Sequence, residues 1–299
     1  MKPQAKDAIF QIRNLCVYHS VERKGDELGN ASTEMGAALH QFNLDVPRGV
    51  RFAILGCSGS GKSTLLSILG SLRTKRSCAT LSGVVRFIPR KSASIDILNP
   101  PDDGNSYRGD SLGFVLPGNS LLSGFTCLHN LCLPLLRQGV SLTDARARVV
   151  KLVEKLESIY DSIRPLKQSK GGSLIEQLNK LPSSVSSGQR QRFAVLRAVV
   201  HNPEVVLADE PFSNLDPINH QSMLKLLSQW QEQFDGDFRP TILLVSHHWE
   251  TAIEWAEHIA FLHEGCLVGQ RVLSAEEARR TGAIEGLLEG RLPMEETIA

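Results

Sequence analysis

With 299 residues, 41% of them hydrophobic and 22% charged, the chain has material for one large or two modest globular domains with a real core. Its 33 basic and 32 acidic residues leave a formal charge of +1, which argues against the one-sign field of a nucleic-acid binder. No apolar run nears the roughly 18 residues that span a bilayer, and MKPQAKDAIFQIRN lacks the apolar core of a signal peptide. The expected place is therefore the cytosol, or the cytosolic face of a membrane if a partner holds the chain there.

In chain order, AIFQIRNLCVY alternates as a strand, and polar residues 20–38 read as a surface loop. LHQFNLDVPRGVRFAIL predicts a pair of strands joined by a turn at Pro47–Gly49. RFAIL runs into a glycine-rich turn, and a helix opens at Lys62. A strand SGVVRFI, a loose segment from Asn99 to Asp110 and a strand SLGFVL follow. Residues 120–184 read as helical: Thr126–Leu136, then Asp144–Tyr160 with Val149, Val150, Leu152, Val153, Leu156 and Ile159 on its apolar side, with a loop at Ser169–Ser173. Gln189–Val200 is a further helix that stops at Pro203. EVVLAD is a continuous apolar strand, followed by a helix near Gln221–Phe234, the strand TILLVS, a helix around Trp249–Glu257 and the strand pair IAFLHEGCLVGQ. The tail from Ser274 is weakly helical. Apolar strands alternating with helices predict an α/β fold with a mainly parallel sheet, an antiparallel β subdomain at the front and an inserted helical subdomain.

The six cysteines (Cys16, Cys57, Cys78, Cys127, Cys132 and Cys266) are scattered, and CLHNLC has no further ligands at metal-site spacing. They read as small buried thiols.

GCSGSGKST fits G-x-x-x-x-G-K-[ST] between a predicted strand and a predicted helix. Gly56, Gly59 and Gly61 let backbone N–H groups of Cys57, Ser58, Ser60 and Thr64 approach phosphate oxygens, and the helix end adds a positive dipole. Lys62 is placed to reach the β- and γ-phosphates, and the Ser63 hydroxyl to ligate Mg²⁺. Cys57 inside this loop is read as inert packing, with redox sensitivity as a minor alternative. VVLADEP ends a buried strand on Asp209 and Glu210, which point to opposite sides if the strand continues. Asp209 suits Mg²⁺, and Glu210 suits polarising the water that attacks the γ-phosphate. VSSGQRQR opens a helix with two serines and a glycine. Capping explains that choice, and so does a ligand at the helix end.

GCSGSGKST, VSSGQRQR, VVLADEP, SNLD (Ser213–Asp216) and VSH (Val245–His247), in that order, resemble the ATP-binding cassette ATPases over about Ile9–Gly269. STLLSILGSL and LLSGFTCLHNLCLPLL look most like ATPase subunits of the lipoprotein-releasing and macrolide-exporter group. The resemblance implies a P-loop NTPase fold. Residues 9–118 and 185–269 would form the β subdomain and core, 119–184 the helical subdomain, and 270–299 a tail. It implies that Ser186, Gly188 and Gln189 meet the ATP of a second subunit, so that the chain works as a dimer with itself or a similar chain. It implies that Tyr18, expected at the end of the first strand, stacks on adenine, that His247 bonds the γ-phosphate, and that Asp216 communicates across the dimer. It implies ATP and Mg²⁺ as cofactors and a membrane permease as partner, with hydrolysis driving transport. An ATP-gated scaffold at a membrane is the alternative. A nucleic-acid role is not expected, since the chain has neither two cassettes nor a basic surface.

Four positions depart from the family pattern. Ser187 replaces a glycine. Pro117 stands where relatives have a Mg²⁺-touching glutamine, with Asn119 two residues on as a candidate substitute. His129 stands where relatives often have glutamate. His248, expected at the surface, follows the switch histidine where an acid is common. The prolyl residue, lacking amide oxygen and N–H, implies weak or partner-dependent turnover.

Overall fold

A computed structural model describes residues 8–22, 33–73, 81–100, 105–117, 121–163, 173–212, 217–268 and 272–274. The chain forms two compact units, one of residues 1–48, 52–104 and 245–299, the other of 49–51 and 105–244.

The first unit holds an antiparallel sheet in the order β2 (Thr33–Pro47), β1 (Ala8–Glu22), β4 (Leu81–Phe87), β5 (Ile95–Asp96). Phe10 and Ile12 are buried, and so are Leu15 and Val17, although strict alternation would put the second pair on the other face. The register shift between Ile12 and Leu15, with Asn14 at φ +50°, inserts the odd residue that restores the phase. Gln41, at φ +42°, separates buried Leu39 from buried Phe42 in β2. Residues 20–22 and 33–38, expected in a loop, are strand. β1 runs past Tyr18 to Glu22 and pairs with β2 from Thr33, Tyr18 opposite Ala37. Polar composition misled here because ladder hydrogen bonds are made by the backbone, whatever the side chains. Residues 23–32 lie outside the described set.

The same unit contains β3 (Arg51–Leu55), whose residues 52–55 pair in parallel with β9 (His258–His263). β2 and β3 belong to different sheets, so the expected turn at Pro47–Gly49 joins two layers and not a hairpin. α1 (Lys62–Leu69) follows the glycine-rich loop and ends at Gly70. β9 returns through Glu264 and Gly265, both at positive φ, into β10 (Cys266–Leu267), the two-residue turn that suits strand twist. β11 (Leu273–Ser274) also pairs with β9, and α8 (Trp249–Trp255) completes the described part. The predicted tail helix lies outside the described residues.

In the second unit, β6 (Leu112–Val115) lies parallel to β7 (Val205–Asp209), and all five β7 residues are buried. β8 (Thr241–Ser246) begins here, where Thr241 N–H donates to the Glu204 carbonyl at 2.9 Å. The helices are α2 (Asn105–Asp110), α3 (Cys127–Arg137), α4 (Leu142–Ile163), α5 (Leu174–Gln177), α6 (Ser187–Val199) and α7 (Pro217–Gln231). α2 falls in the segment expected to be loose. On α4, Val149, Val153 and Leu156 are buried, while Val150 and Leu152 are only half-buried, so the apolar stripe is narrower than its pattern implied. α6 packs against β6 so closely that a Cβ on Gly113 would strike the Ala198 carbonyl. His201, beyond α6, reaches the Leu112 carbonyl through Nε2 at 3.0 Å, and burial holds its pKa below the ordinary imidazole value.

Cys127 and Cys132 are buried, and burial raises both thiols, but Cys57 and Cys266 are exposed, which corrects the expectation of buried thiols. Among the described residues no cluster of His, Cys, Asp or Glu could hold a metal ion, and no helix is long and apolar enough to cross a membrane.

Candidate functional site

The phosphate-loop motif sits where its chemistry needs it, between β3 and α1. Gly61 takes φ +100° and abuts the Ala38 carbonyl, so a side chain there meets both strain and collision. A Cβ on Gly56 would run into the Leu262 carbonyl. The loop is fastened by Ser60 N–H to the Cys57 carbonyl (3.2 Å), Leu65 N–H to Gly61 (2.9 Å) and Gly265 N–H to Ser60 (3.1 Å). Lys62, only 5% exposed, turns its ammonium back into the loop, donating to the carbonyls of Gly56 (2.8 Å) and Cys57 (2.7 Å). The α1 N-cap, Gly61, has no side-chain cap bond. An uncapped helix N-terminus and a buried cation thus lie side by side at this loop, a combination that suits an anion.

The Gly265 support was not visible in the sequence reading. HEGC announced a turn, but nothing in it located that turn under the phosphate loop. Tyr18 is half-buried on β1 at a register shift. His247 is exposed, with its ring centroid 4.1 Å from that of exposed His248. His248 N–H donates to Ser246 Oγ at 3.0 Å, which shapes the turn after β8.

In the second unit, β7 delivers Asp209 at its buried end, 8% exposed. Glu210 does not continue the strand. Its φ is +40°, so the two carboxylates are separated by a left-handed backbone turn instead of strand alternation. Strain of this kind in a non-glycine residue costs roughly 1–2 kcal/mol and persists only where the surroundings hold it.

The serine-tipped helix end answers half of its question locally. Ser186 is the N-cap of α6: its Oγ accepts from Gln189 N–H (3.2 Å), and Gln189 Oε1 accepts from Ser186 N–H (3.0 Å), a complete capping box. A hydroxyl that accepts still has its O–H to donate. Arg190 ties the preceding loop down through the Val185 carbonyl at 2.7 Å. Gly188 is half-buried, has no positive φ, and a Cβ there would meet open space. The fold does not require glycine at this position. Gln191 is buried, and its Nε2 donates to the Pro211 carbonyl. The sequence signal for that link was a polar side chain on a helix turn that faces the core.

Pro117 is exposed beyond β6, and Asn119 lies outside the described residues. So does Asp216. His129 occupies the third position of α3, its Nδ1 2.9 Å from the Oγ1 of the N-cap Thr126. A glutamate there would form a capping box, so the histidine replaces a helix-cap partner.

A mixed α/β chain with a phosphate loop on β3–α1 and a buried strand ending in Asp209 is a P-loop nucleoside triphosphatase. The sequence profile of the ABC transporter family matches residues 39–213. The lipoprotein-releasing system ATP-binding protein LolD of Treponema pallidum (strain Nichols) is 36% identical over 217 residues, covering 72% of this chain and 83% of the relative. LolD of Legionella pneumophila (strain Lens) is 33% identical over 231 residues, 77% and 88% of the two chains. The dimeric structure of MJ0796, a bacterial ABC transporter cassette, superposes with a TM-score of 0.67 at 27% identity, covering 89% of this chain and 98% of that one. Its post-hydrolysis dimer bound to ADP and Pi also gives 0.67, at 26% identity. The chain belongs to the ABC transporter family, as an ATP-binding and ATP-hydrolysing subunit.

Proposed function

We propose that two copies of this chain, or this chain and a similar one, close head to tail on ATP and power a separate permease from the cytosolic side of a membrane. The observation that carries this reading is the α6 end, where a capped helix presents half-buried Gly188 with open space where a side chain would stand. The fold has no use for that glycine, whereas a phosphate brought by another subunit does. LolD and the MJ0796 dimer support the same reading by kinship.

By the motifs they stand in, Gly56–Thr64 wrap the triphosphate and Tyr18 stacks on adenine. Ser186, Gly188 and Gln189 close on the second subunit's γ-phosphate, and Asp216 links the two subunits. Ser63 offers a hydroxyl oxygen and Asp209 a carboxylate, each the hard donor that Mg²⁺ takes. The ion, when bound, neutralises charge on the β- and γ-phosphates. Glu210 orients and polarises the attacking water, and His247 bonds the γ-phosphate. The permease contact is assigned to the helical segment 119–184. Its 121–126 loop exposes Leu122 and Phe125 on a frame fixed by Asn130, which bonds Leu122 N–H (2.7 Å) and the carbonyls of Leu122, Phe125 and Thr126.

Exposed Pro117 favours a second reading, an ATP-gated scaffold with weak turnover, because proline supplies neither the amide oxygen nor the N–H of the usual glutamine. Pro117→Gln is expected to raise the steady-state ATPase rate of the isolated chain about tenfold, the lower end of what an outer ligand of a metal site contributes. An unchanged rate removes Pro117 as the cause of weak turnover. Transport in vesicles with the cognate permease separates transporter from scaffold.

The composite site has its own test. Gly188→Asp puts a carboxylate where the γ-phosphate must come, and two like charges about 4 Å apart repel by about 4 kcal/mol at an effective dielectric of 20. ATPase activity therefore falls by at least about tenfold. Thermal stability does not fall, because an acid in the first helical turn complements the dipole and glycine disfavours helix. A Lys62→Ala chain and a Gly188→Asp chain, each inactive, are then mixed. One heterodimer site pairs an intact loop with an intact helix end, so activity returns. No recovery on mixing rules out a site shared between chains.

A further inference from the structure

We infer that Gln191 is a positioning residue that ties the catalytic turn at Glu210 to the helix end that meets the second subunit's nucleotide. The inference rests on the composite-site reading. α6 is a rigid rod whose N-cap, Ser186, and whose second-turn residue Gln191 lie about 7.5 Å apart along its axis, at 1.5 Å per residue. At one end of that span stands the capped serine turn. At the other, the Gln191 amide enters the core and donates from Nε2 to the Pro211 carbonyl. Pro211 directly follows Glu210, whose backbone is held at φ +40°. Pro211 and Phe212 are buried, with Phe212 1% exposed and its ring edge-on to His220 at 5.6 Å, so the turn is anchored on its far side as well.

A left-handed glutamate needs outside restraint. The Pro211 carbonyl belongs to the residue directly after the one that needs it, and the amide on that carbonyl comes from the helix that reads the partner. A nucleotide seated against Ser186 and Gly188 fixes α6, and α6 through Gln191 fixes the turn that aims Glu210 at the water in the chain's own site. Loading of one site thereby prepares hydrolysis in the other, through a hydrogen bond within one chain.

Gln191→Met keeps length and volume and removes the donor. It is expected to lower kcat about tenfold, the effect of leaving one buried carbonyl unpaired beside a reacting group, with KM for ATP and ATP-driven dimer assembly unchanged. The control is wild-type turnover lowered about 10²- to 10⁴-fold, to a measurable residual rate, by Glu210→Gln. Without that control result the ATPase reading itself fails, independently of Gln191. With it, the double variant decides. If Gln191 acts through Glu210, adding Gln191→Met to Glu210→Gln leaves the residual rate where it was. A further tenfold loss in the double variant, or a Gln191→Met kcat equal to wild type per folded chain, overturns the proposal. Hydrogen exchange of the Glu210 and Phe212 amides supplies a readout without turnover, and it covers a variant whose yield of folded protein is low. Faster exchange there, with the amides of β7 unchanged, supports the link. Unchanged exchange at Glu210 and Phe212 overturns it.

Discussion

Glu210→Gln lowers ATP turnover by about 10²- to 10⁴-fold, the range a positioned general base contributes, and leaves ATP affinity within about twofold. The substitution keeps shape and loses only the capacity to polarise water. Its backbone is as strained as before, because φ +40° is imposed by the turn and not by the carboxylate. On the proposed head-to-tail reading, ATP therefore still binds and the pair of chains closes without reopening. Size-exclusion chromatography with ATP and Mg²⁺ should show an accumulating dimer, and a phosphate-release assay should show the rate collapse. A Glu210→Gln chain that hydrolyses ATP at the wild-type rate would remove Glu210 from the mechanism.

Glu210→Gly distinguishes strain from chemistry. Glycine adopts positive φ at little cost, so the variant loses turnover like Glu210→Gln but gains stability. Each kcal/mol of relieved strain raises Tm by about 2–4 °C in a domain of this size. Activity and stability then move in opposite directions at one residue, as expected where backbone strain serves the reaction.

The parts of this molecule that were legible in sequence are those whose chemistry is local. Gly56–Ser63 announced a loop and a helix together, because the turn, the helix start and the cation are built from contiguous residues. Ser186 and Gln189 were legible as a cap for the same reason. β7 could be read from its composition, since a strand buried on both faces has no polar residue until it ends. What escaped was set by distant contacts or by backbone alone. The bulges at Asn14 and Gln41 reverse side-chain parity without a sequence marker as strong as glycine or proline. The ladder from Thr33 onward is held by main-chain bonds that polar side chains do not reveal. The left-handed turn at Glu210 looked like strand continuation, and the Gln191–Pro211 link spans 20 residues of sequence. His129 looked like a lost acid in a coupling segment until its ring was found against the Thr126 cap.

Lys62→Ala abolishes measurable turnover and weakens ATP binding about 100-fold or more. The ammonium loses at least one charge-assisted bond to phosphate, each worth about 1.5–3 kcal/mol, together with the longer-range attraction of a cation for the triphosphate. The Lys62 ammonium donates to the Gly56 and Cys57 carbonyls and so braces the loop. Removing it frees two carbonyls and also removes the desolvation cost of a buried cation, terms of opposite sign. The stability of the nucleotide-free chain therefore changes little, and the loss appears in the ligand-bound state. At an ATP concentration 100 times its Kd, the wild-type chain is stabilised by about 2.7 kcal/mol, whereas a variant binding 100-fold more weakly gains about 0.4 kcal/mol from the same ATP. Thermal denaturation with and without ATP measures that difference directly. Lys62→Arg does not restore it, because the planar guanidinium is larger than the space in which Nζ meets two carbonyls and a serine hydroxyl, and it cannot act as a compact point charge. A Lys62→Ala chain that keeps the full ATP-induced stabilisation would mean that the backbone cradle alone holds the triphosphate, and Lys62 would then be a brace for the loop and not a ligand.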